Sequence, residues 1–208
     1  MLMVIESSAD FPSVCVVNRS GAVVFERLND TEKSHTEKLP LLVEEASVFI
    51  ESQNEKIEAV ALNEGPGSYT GLRIGTSLAK GLCFGLQVPL IAVNGLEAMG
   101  FWALNEFPQK DRAIAMIDAR RDEVYVQRIF KDGKKSKIEA EIINETWEID
   151  TEKDLFIGNA NEKAVRILQS SETTQILGPF AAQIALVAYR KWQDQEFESV
   201  AYFEPFYL

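Results

Sequence analysis

The chain has 208 residues and a formal net charge of −11 at pH 7, from 32 acidic and 21 basic residues. Its length fits one large domain or two small ones, and a hydrophobic fraction of 46% is typical of a folded globular protein. Affinity for nucleic acid comes largely from Lys and Arg side chains that neutralise phosphates. The densest basic cluster, residues 131–137, is predicted to be a hairpin tip. Direct nucleic-acid binding is therefore not expected, and the acidic surface suits a basic protein partner better.

Signals for targeting, membranes and metals are missing from the sequence. The N-terminal stretch MLMVIESSAD has no basic segment and only a short apolar run, and no apolar stretch approaches membrane-spanning length. We therefore predict a cytoplasmic protein that does not bind a membrane. Cys15 and Cys83 lie in apolar runs and are predicted to be buried, reduced thiols. Because His35 is the single histidine, sites built from several His and Cys residues are excluded, and no metal site is predicted.

Apolar periodicity predicts alternating strands and helices in the first half of the chain. An antiparallel meander of three strands is expected at residues 2–5, 14–17 and 22–28. A helix follows within residues 34–53, with Ser34 or Thr36 as its N-cap and Pro40 in its first turn. The remaining elements of this half are a strand at 57–63, a helix at 72–87, a strand at 88–94 and a helix at 95–107.

A similar order of elements follows in the second half. Strands are predicted at 112–118, 123–130, 137–143, 154–157 and 174–177, and helices at 161–168 and 179–192, the last with Pro179 in its first turn. Two successive units of meander, helix, strand, helix and strand indicate a duplicated α/β fold with a cleft between its halves.

The stretch NEGPGSYTGLRIGTSLAKGL at residues 63–82 is the most informative pattern. Gly65, Gly67 and Gly71 lie between a predicted strand and a helix, where backbone N–H groups favour an anion or a carbonyl. No Lys-Ser or Lys-Thr pair follows Gly71, and Thr70 stands at the third glycine position of GxGxxG. The stretch is therefore neither a P-loop nor a dinucleotide-binding fingerprint, and its glycines alone favour a tight strand-to-helix turn.

Both helices of the first half carry an unusual face. In the second helix, glycines at positions 71, 75, 81 and 85 share one face, and the opposite, polar face carries Arg73, Thr76, Lys80 and Gln87. Each interior glycine costs about 1 kcal/mol relative to alanine, so we expect the glycine face to pack closely on a neighbouring backbone. In the first helix, the predicted core stripe is Leu39, Leu42, Val43, Ala46, Phe49 and Ile50. Leu41 and Val48 point away from it, either as scattered exposed residues or as a second apolar seam for a partner.

An acidic residue ends the first strand of each half, Glu6 before Ser7 and Asp118 before Arg120. Duplicated nucleotide-handling folds hold metal and phosphate ligands at such strand ends. However, the loop 7–12 contains no glycine, and the candidate nucleoside loop 156–161 contains only Gly158. These residues favour a degenerate nucleotide cleft over a working one, and Asp118 equally suits a structural pair with a neighbouring arginine.

The sequence GPGSYTGLRIGTSLAKGL at residues 65–82 closely resembles the signature of the TsaB (YeaZ) family. Further similarity lies in SHTEKLPLL at 34–42, DARRDEVY at 118–125, the proline that opens the last helix and the ending EPFYL at 204–208. The resemblance therefore covers nearly the whole chain. One departure is the first strand, which ends in Glu-Ser-Ser where the family usually has an Asp-Thr-Ser-like run.

This resemblance implies an actin/Hsp70-like (ASKHA) α/β fold of two ribonuclease-H-like halves with mixed sheets flanked by helices. We expect the halves at residues 1–108 and 109–208, with the last helix packing back on the first half. The family implies dimerisation through the first two helices, with itself when alone or with TsaD, the metal- and nucleotide-binding paralogue. A TsaE-type ATPase joins this complex. No cofactor is expected, and ATP or ADP would bind only at the interface with the partner.

Transferred to this sequence, the interface helices are residues 36–51 and 72–86, which favours the seam interpretation of the first helix. The expected interface residues are Leu41, Glu45, Val48, Arg73, Thr76 and Lys80, and the family motif loop is Gly65, Pro66, Gly67, Ser68, Tyr69, Thr70 and Gly71. The resemblance implies a non-catalytic partner of the TsaD-type threonylcarbamoyltransferase in the formation of threonylcarbamoyladenosine on tRNA. The alternative is an independent nucleotide-dependent transferase or ATPase, and a peptidase ranks third because no nucleophile–base pair is visible.

Overall fold

The computed structural model describes residues 1–29, 35–170 and 172–208. The strands are β1 (Leu2–Glu6), β2 (Ser13–Val17), β3 (Val23–Leu28), β4 (Ala59–Gly65), β5 (Leu90–Asn94), β6 (Arg112–Asp118), β7 (Glu123–Phe130), β8 (Glu139–Ile142), β9 (Asp154–Gly158) and β10 (Thr174–Ile176). The helices are α1 (His35–Ser52), α2 (Tyr69–Leu86), α3 (Gly95–Glu106), α4 (Asn161–Leu168) and α5 (Ala181–Gln193). No helix among the described residues is both long and apolar enough to cross a membrane.

The chain forms two compact units. The first contains Met1–Gly95 and Phe180–Tyr207, and the second contains Leu96–Pro179 with Leu208. This division differs from the expected boundary at residue 108. The buried side chains of α3 lie in a core cluster with β6 and β9 of the second unit, whereas α5 packs on β1, β2 and β5 of the first.

The first unit contains a mixed sheet in the order β3-β2-β1-β4-β5. The β1–β2–β3 part is an antiparallel meander, and β4 and β5 continue the sheet in parallel to β1. Every residue of β1 is buried, as expected for a continuous apolar run in a strand with both faces covered. The helices α1 and α2 both pack on this sheet. The predicted core stripe of α1 is buried except for the half-buried Phe49.

The second unit repeats this topology with the order β10-β9-β6-β7-β8. Here β6, β7 and β8 form the meander, and β9 and β10 extend the sheet in parallel to β6. The prediction of a duplicated α/β fold with mixed sheets is therefore confirmed.

The predicted repeat was wrong in one element, because no helix lies between β8 and β9. The intervening residues 143–153 form turns in which the side chains of Asn144 and Asp150 accept hydrogen bonds from the backbone N–H groups of Thr146 and Glu152, at 2.9 and 3.1 Å. Such local bonds compete with helix formation. Trp147 of this segment packs against the core instead.

Several helix starts differ from the sequence prediction. The first described residue of α1 is His35, so Thr36 is not its cap, and Pro40 lies in the second turn rather than the first. The alternative cap, Ser34, lies outside the described residues. The helix α2 begins at Tyr69, three residues earlier than predicted, because Ser68 caps it. The last helix begins after its N-cap Phe180, so the preceding proline is outside it.

Both cysteines are buried and free, as the apolar runs around them predicted. Burial raises the pKa of the Cys83 thiol to about 11. Burial also raises the pKa of Cys15. Neither thiol therefore has the thiolate character of a reactive cysteine.

Candidate functional site

The motif loop connects the end of β4 to the start of α2. Ser68 is the N-cap of α2, and its hydroxyl accepts a hydrogen bond from the Gly71 N–H at 3.3 Å. The backbone N–H of Ser68 donates to the carbonyl oxygen of Ser8 at 2.7 Å. The motif loop is thus tied directly to the segment that follows β1.

Three motif glycines make this contact sterically possible. A Cβ atom at Gly67 would collide with the carbonyl oxygen of Ser8, and one at Gly71 would collide with the carbonyl oxygen of Ser7. A Cβ atom at Gly75 would collide with the Ser7 hydroxyl. The first half of the glycine face of α2 therefore packs closely on a neighbouring backbone, as predicted.

The second half of the glycine face of α2 does not pack on a neighbouring backbone. At Gly81 and Gly85, no described atom apart from the adjacent residues and the nearby backbone of α2 itself lies within 4 Å of an added Cβ atom. The prediction of a continuous close contact was wrong for these two positions, because α2 extends past the β1–β2 loop. They lie on an exposed part of the helix, and packing within this unit does not compensate their cost in helix stability.

Glu6 is fully buried at the end of β1. Its Oε1 accepts a hydrogen bond from the Ser8 N–H at 2.5 Å, and its Oε2 accepts one from Asn63 Nδ2 at 2.6 Å. The Asn63 side chain also donates to the Ser8 hydroxyl at 2.9 Å and accepts from the Gly65 N–H at 2.9 Å. Burial raises the pKa of Glu6, while hydrogen bonds from Ser8, Asn63 and Ser7 act in the opposite direction.

This network determines what the β1–β2 loop can bind. The backbone N–H groups of Ser7 and Ser8 are the donors that such a turn would offer to a phosphate. Both are directed at the carboxyl group of Glu6. An internal carboxyl group therefore occupies the anion position of this loop, and the residues do not fit a nucleotide phosphate or its metal ion.

The other strand-end residues lie in the second unit. The Oδ1 of Asp118 accepts hydrogen bonds from the Arg120 backbone N–H at 2.6 Å and from Lys163 Nζ at 2.7 Å. The charged partner of Asp118 is thus Lys163, which the sequence had not indicated, rather than Arg120 or Arg121. Gly158 has φ of +131°, and an added Cβ atom would collide with the Met116 carbonyl. The described residues include no cluster of three or more His, Cys, Asp or Glu suited to a metal ion.

The outer face of α1 carries two of the expected interface residues in exposed positions. Leu41 and Val48 are 50% and 60% exposed, as helical periodicity predicted. Glu45 lies between them along the helix and forms an exposed ion pair with Arg27, at 3.1 Å. The face thus combines two exposed apolar side chains with acidic ones, because Glu37 and Glu44 are also exposed on this side of the helix.

The outer face of α2 differs from the prediction at one residue. Thr76 is only 7% exposed, because its position falls in the same arc as the buried Leu72, Ala79 and Cys83. It cannot contact a partner in this conformation, which corrects its assignment to the interface. Arg73 is exposed, with its guanidinium 3.9 Å from the centre of the Tyr69 ring.

Lys80 and Phe84 complete this face. The ammonium group of Lys80 donates to the carbonyl oxygens of Ala201 and Phe203, at 3.1 and 3.2 Å, so it binds the C-terminal segment of its own chain. Phe84, which the sequence analysis missed, is 83% exposed. On a helical wheel, Phe84 lies between Arg73 and Ser77, two polar residues. This position could have identified it as exposed.

The chain matches the family model described as "TsaD: tRNA N6-adenosine threonylcarbamoyltransferase" over residues 28–149. It is 30% identical over 135 residues to the tRNA threonylcarbamoyladenosine biosynthesis protein TsaB of Haemophilus influenzae, and the match covers 65% of this chain and 56% of that protein. The TsaB protein of Escherichia coli K12 is 28% identical over 193 residues, which cover 85% of this chain and 81% of that one. The chain thus spans between about half and four fifths of these relatives.

Solved structures show the same fold. A Pseudomonas aeruginosa protein described as similar to peptidase YeaZ has a TM-score of 0.79 at 23% identity, covering 100% of this chain and 98% of that one. The activator of 2-hydroxyisocaproyl-CoA dehydratase from Clostridium difficile, solved with bound ADPNP, has a TM-score of 0.56 at 10% identity, covering 95% and 98%. The expected actin/Hsp70-like fold is therefore confirmed.

The buried carboxyl group gives a first prediction, for Glu6→Gln. Both Glu6 oxygens accept hydrogen bonds, so an amide nitrogen in one position would face a donor and leave it unsatisfied, at a cost of about 1–3 kcal/mol. Burial raises the pKa of Glu6 in the folded state, so the folded protein favours the protonated carboxyl group. The resulting contribution to the free energy of unfolding is fully present below the unfolded pKa and is lost as the pH rises through the folded pKa. The stability difference between wild type and variant should therefore shrink from pH 4.5 to pH 8.

Urea unfolding followed by circular dichroism measures this difference at several pH values. A difference that grows with pH would mean that the folded pKa lies below the unfolded one, and would refute the assignment.

The contrast between glycines that pack on the β1–β2 loop and glycines that face open space gives a second prediction. Gly67→Ala introduces a collision with the backbone and should lower the free energy of unfolding by about 1–3 kcal/mol. Gly81→Ala points into open space inside a helix and should raise it by about 1 kcal/mol. Chemical denaturation at concentrations where the chain is monomeric compares the two variants, and equal destabilisation by both would contradict the observed packing.

Proposed function

The chain belongs to the tRNA N6-adenosine threonylcarbamoyltransferase (TsaD) family, and from this membership we propose that it is a TsaB (YeaZ)-type, non-catalytic partner of a TsaD-type enzyme. In this proposal it acts in the formation of threonylcarbamoyladenosine on tRNA. It binds and activates the enzyme rather than transferring the threonylcarbamoyl group itself, and it works in the cytoplasm.

The observation that carries this proposal is the exposed apolar surface of α1 and α2, which we call the α1/α2 face and define by Leu41, Val48 and Phe84. All three side chains are at least half exposed. Large exposed apolar side chains are typical of protein–protein contact sites. Gly81 and Gly85, next to Phe84 on α2, would let a partner backbone approach closely, which gives these glycines a use that the isolated chain lacks.

The family match supports a TsaD-type paralogue as the occupant of this face. The matched residues 28–149 include both α1 and α2, so the paralogue carries counterparts of both helices. A face that pairs with its own copy by two-fold symmetry is self-complementary, and a paralogue with the same elements can replace one copy. We therefore propose a homodimer when the chain is alone, a heterodimer with the TsaD-type protein, and a TsaE-type ATPase as a further member.

The buried state of Glu6 supports the absence of catalysis by this chain. A carboxyl group that is enclosed and bonded to the loop amides does not bind a metal ion or a substrate phosphate. The single histidine is also buried, with its Nε2 2.7 Å from the Ala9 carbonyl oxygen, and burial lowers its pKa. We propose that the chain holds no cofactor alone, and that ATP or ADP binds only together with the partner.

A double substitution tests the interface. Leu41→Asp with Val48→Asp would put two unpaired charges into an apolar contact, and each costs several kcal/mol when buried. Since 1.4 kcal/mol is tenfold in affinity, binding to the TsaD-type protein should weaken by more than about 100-fold. Threonylcarbamoyl transfer by the mixture should fall accordingly. The thermal unfolding of the variant, compared with wild type at concentrations where both are monomeric, should hardly change because both side chains are exposed.

Ile142→Asp is the matched control, because Ile142 is an exposed apolar residue of the second unit, outside the α1/α2 face. It should retain binding and activity. A folded double variant with wild-type affinity would show that the partner binds elsewhere.

The non-catalytic role predicts that the purified chain releases no phosphate from ATP and cleaves no peptide. Nucleotide turnover at a rate proportional to enzyme concentration would favour the alternative of an independent ATPase. Asp118→Ala separates this outcome from contamination, because a contaminating ATPase would not respond to the substitution.

A further inference from the structure

The C-terminal segment of the first unit is attached to the sheet, to α2 and to the motif loop. We call residues 198–207 the C-terminal clasp. At its beginning, the Glu198 N–H donates to the Leu90 carbonyl oxygen of the edge strand β5, at 2.8 Å. Phe203 is 9% exposed and belongs to the core cluster under α1 and α2. The clasp is therefore part of the folded unit.

The second attachment is to the middle of α2. The ammonium group of Lys80 donates to two clasp carbonyl oxygens, those of Ala201 and Phe203. A charged donor shared between two backbone acceptors makes stronger hydrogen bonds than a neutral donor does. Lys80 thus fixes the position of the clasp along one side of α2.

The third attachment is to the motif loop. The Phe206 N–H donates to the Glu64 carbonyl oxygen at 2.7 Å. Gly65, with φ of +115°, has no room for a Cβ atom because the Phe206 carbonyl oxygen lies there. The ring of Tyr207 packs on Tyr69 in the first turn of α2, with ring centres 5.2 Å apart. The clasp therefore requires a glycine at position 65, whereas the β1–β2 loop requires glycines at positions 67 and 71.

We infer that the C-terminal clasp holds the motif loop and α2 in the arrangement that a partner binds, so that Lys80, Phe206 and Tyr207 are positioning residues for the α1/α2 face. This inference rests on the proposed function. Its basis is that the clasp contacts the N-terminal turn and the middle of α2 along the side that carries Tyr69 and Lys80. The exposed residues Ser77, Gly81 and Phe84 are next on the helix surface. A binding surface that is already fixed avoids the cost of ordering it on association.

Two matched pairs of variants test the clasp. Phe206→Pro removes the N–H that bonds to Glu64, whereas Phe206→Ala keeps this N–H and removes the ring. Lys80→Met removes the charged donor but keeps most of the stem, whereas Lys56→Met removes an exposed ammonium group with no role in the clasp. The first readout is hydrogen exchange of amides 64–72 in each isolated variant, and the second is affinity for the TsaD-type protein.

Phe206→Pro and Lys80→Met should each speed exchange at residues 64–72 by about tenfold or more relative to their controls, and should weaken partner affinity at least tenfold. Unchanged exchange in both variants would overturn the inference, even if the partner still binds the α1/α2 face. Faster exchange with wild-type affinity would also overturn it, because the loop position would then not matter for binding. Failure of the wild-type chain to bind a TsaD-type protein would instead refute the proposed function, and with it the role assigned to the clasp.

Discussion

The close contact between the motif loop and the two residues after β1 is the constraint on which the first unit depends. The carbonyl oxygens of Ser7 and Ser8 lie where the Cβ atoms of Gly71 and Gly67 would be. Larger side chains at these two positions would push α2 away from the sheet. Because α2 starts within this loop, its direction and its exposed face follow from a contact made by carbonyl oxygens and glycines.

The same contact decides the chemistry of the β1–β2 loop. In a turn after a buried strand, the amides are free to hold an anion only if nothing inside the protein accepts from them. Here the Glu6 side chain takes both, and Asn63 links it to the motif loop. Glu6 accepts from the amide two residues later, as Asp118 does in the second unit, but the Glu6 carboxyl group is fully buried and also accepts from Asn63. The departure from an Asp-Thr-Ser ending thus has a structural role in this chain.

The sequence predicted most of the fold because its elements are marked by short-range periodicity. The core stripe of α1 and the exposure of Leu41 and Val48 follow directly from a spacing of 3.6 residues per turn. The buried strand β1 follows from an unbroken apolar run. The duplicated topology follows from the order of such elements, without any repeat in the sequence itself.

What could not be predicted depends on contacts between residues distant in the chain. Gly65 requires Phe206, some 140 residues later, and Lys80 binds the backbone of residues 201 and 203. Helical phase places Thr76 opposite the glycine face, but the side of α2 that the sheet covers includes this position, and the buried Oγ1 of Thr76 has no hydrogen-bond partner among the described residues. Helix polarity alone does not reveal such a case, because a threonine methyl group packs like an apolar one.

The glycines of α2 show how a cost in helix stability that the chain itself does not compensate can indicate a binding surface. Gly71 and Gly75, like Gly67 in the loop before the helix, are compensated by contacts within the chain, and each has a neighbour that excludes a side chain. Gly81 and Gly85 have no such neighbour, and the nearby Phe84 exposes most of its ring to water. Two helix-destabilising residues and one exposed aromatic residue, all within one and a half turns, lower stability and solubility without benefit to the isolated chain. The proposed function offers a compensating interaction outside the chain, because a partner helix that packs across this part of α2 would cover these residues.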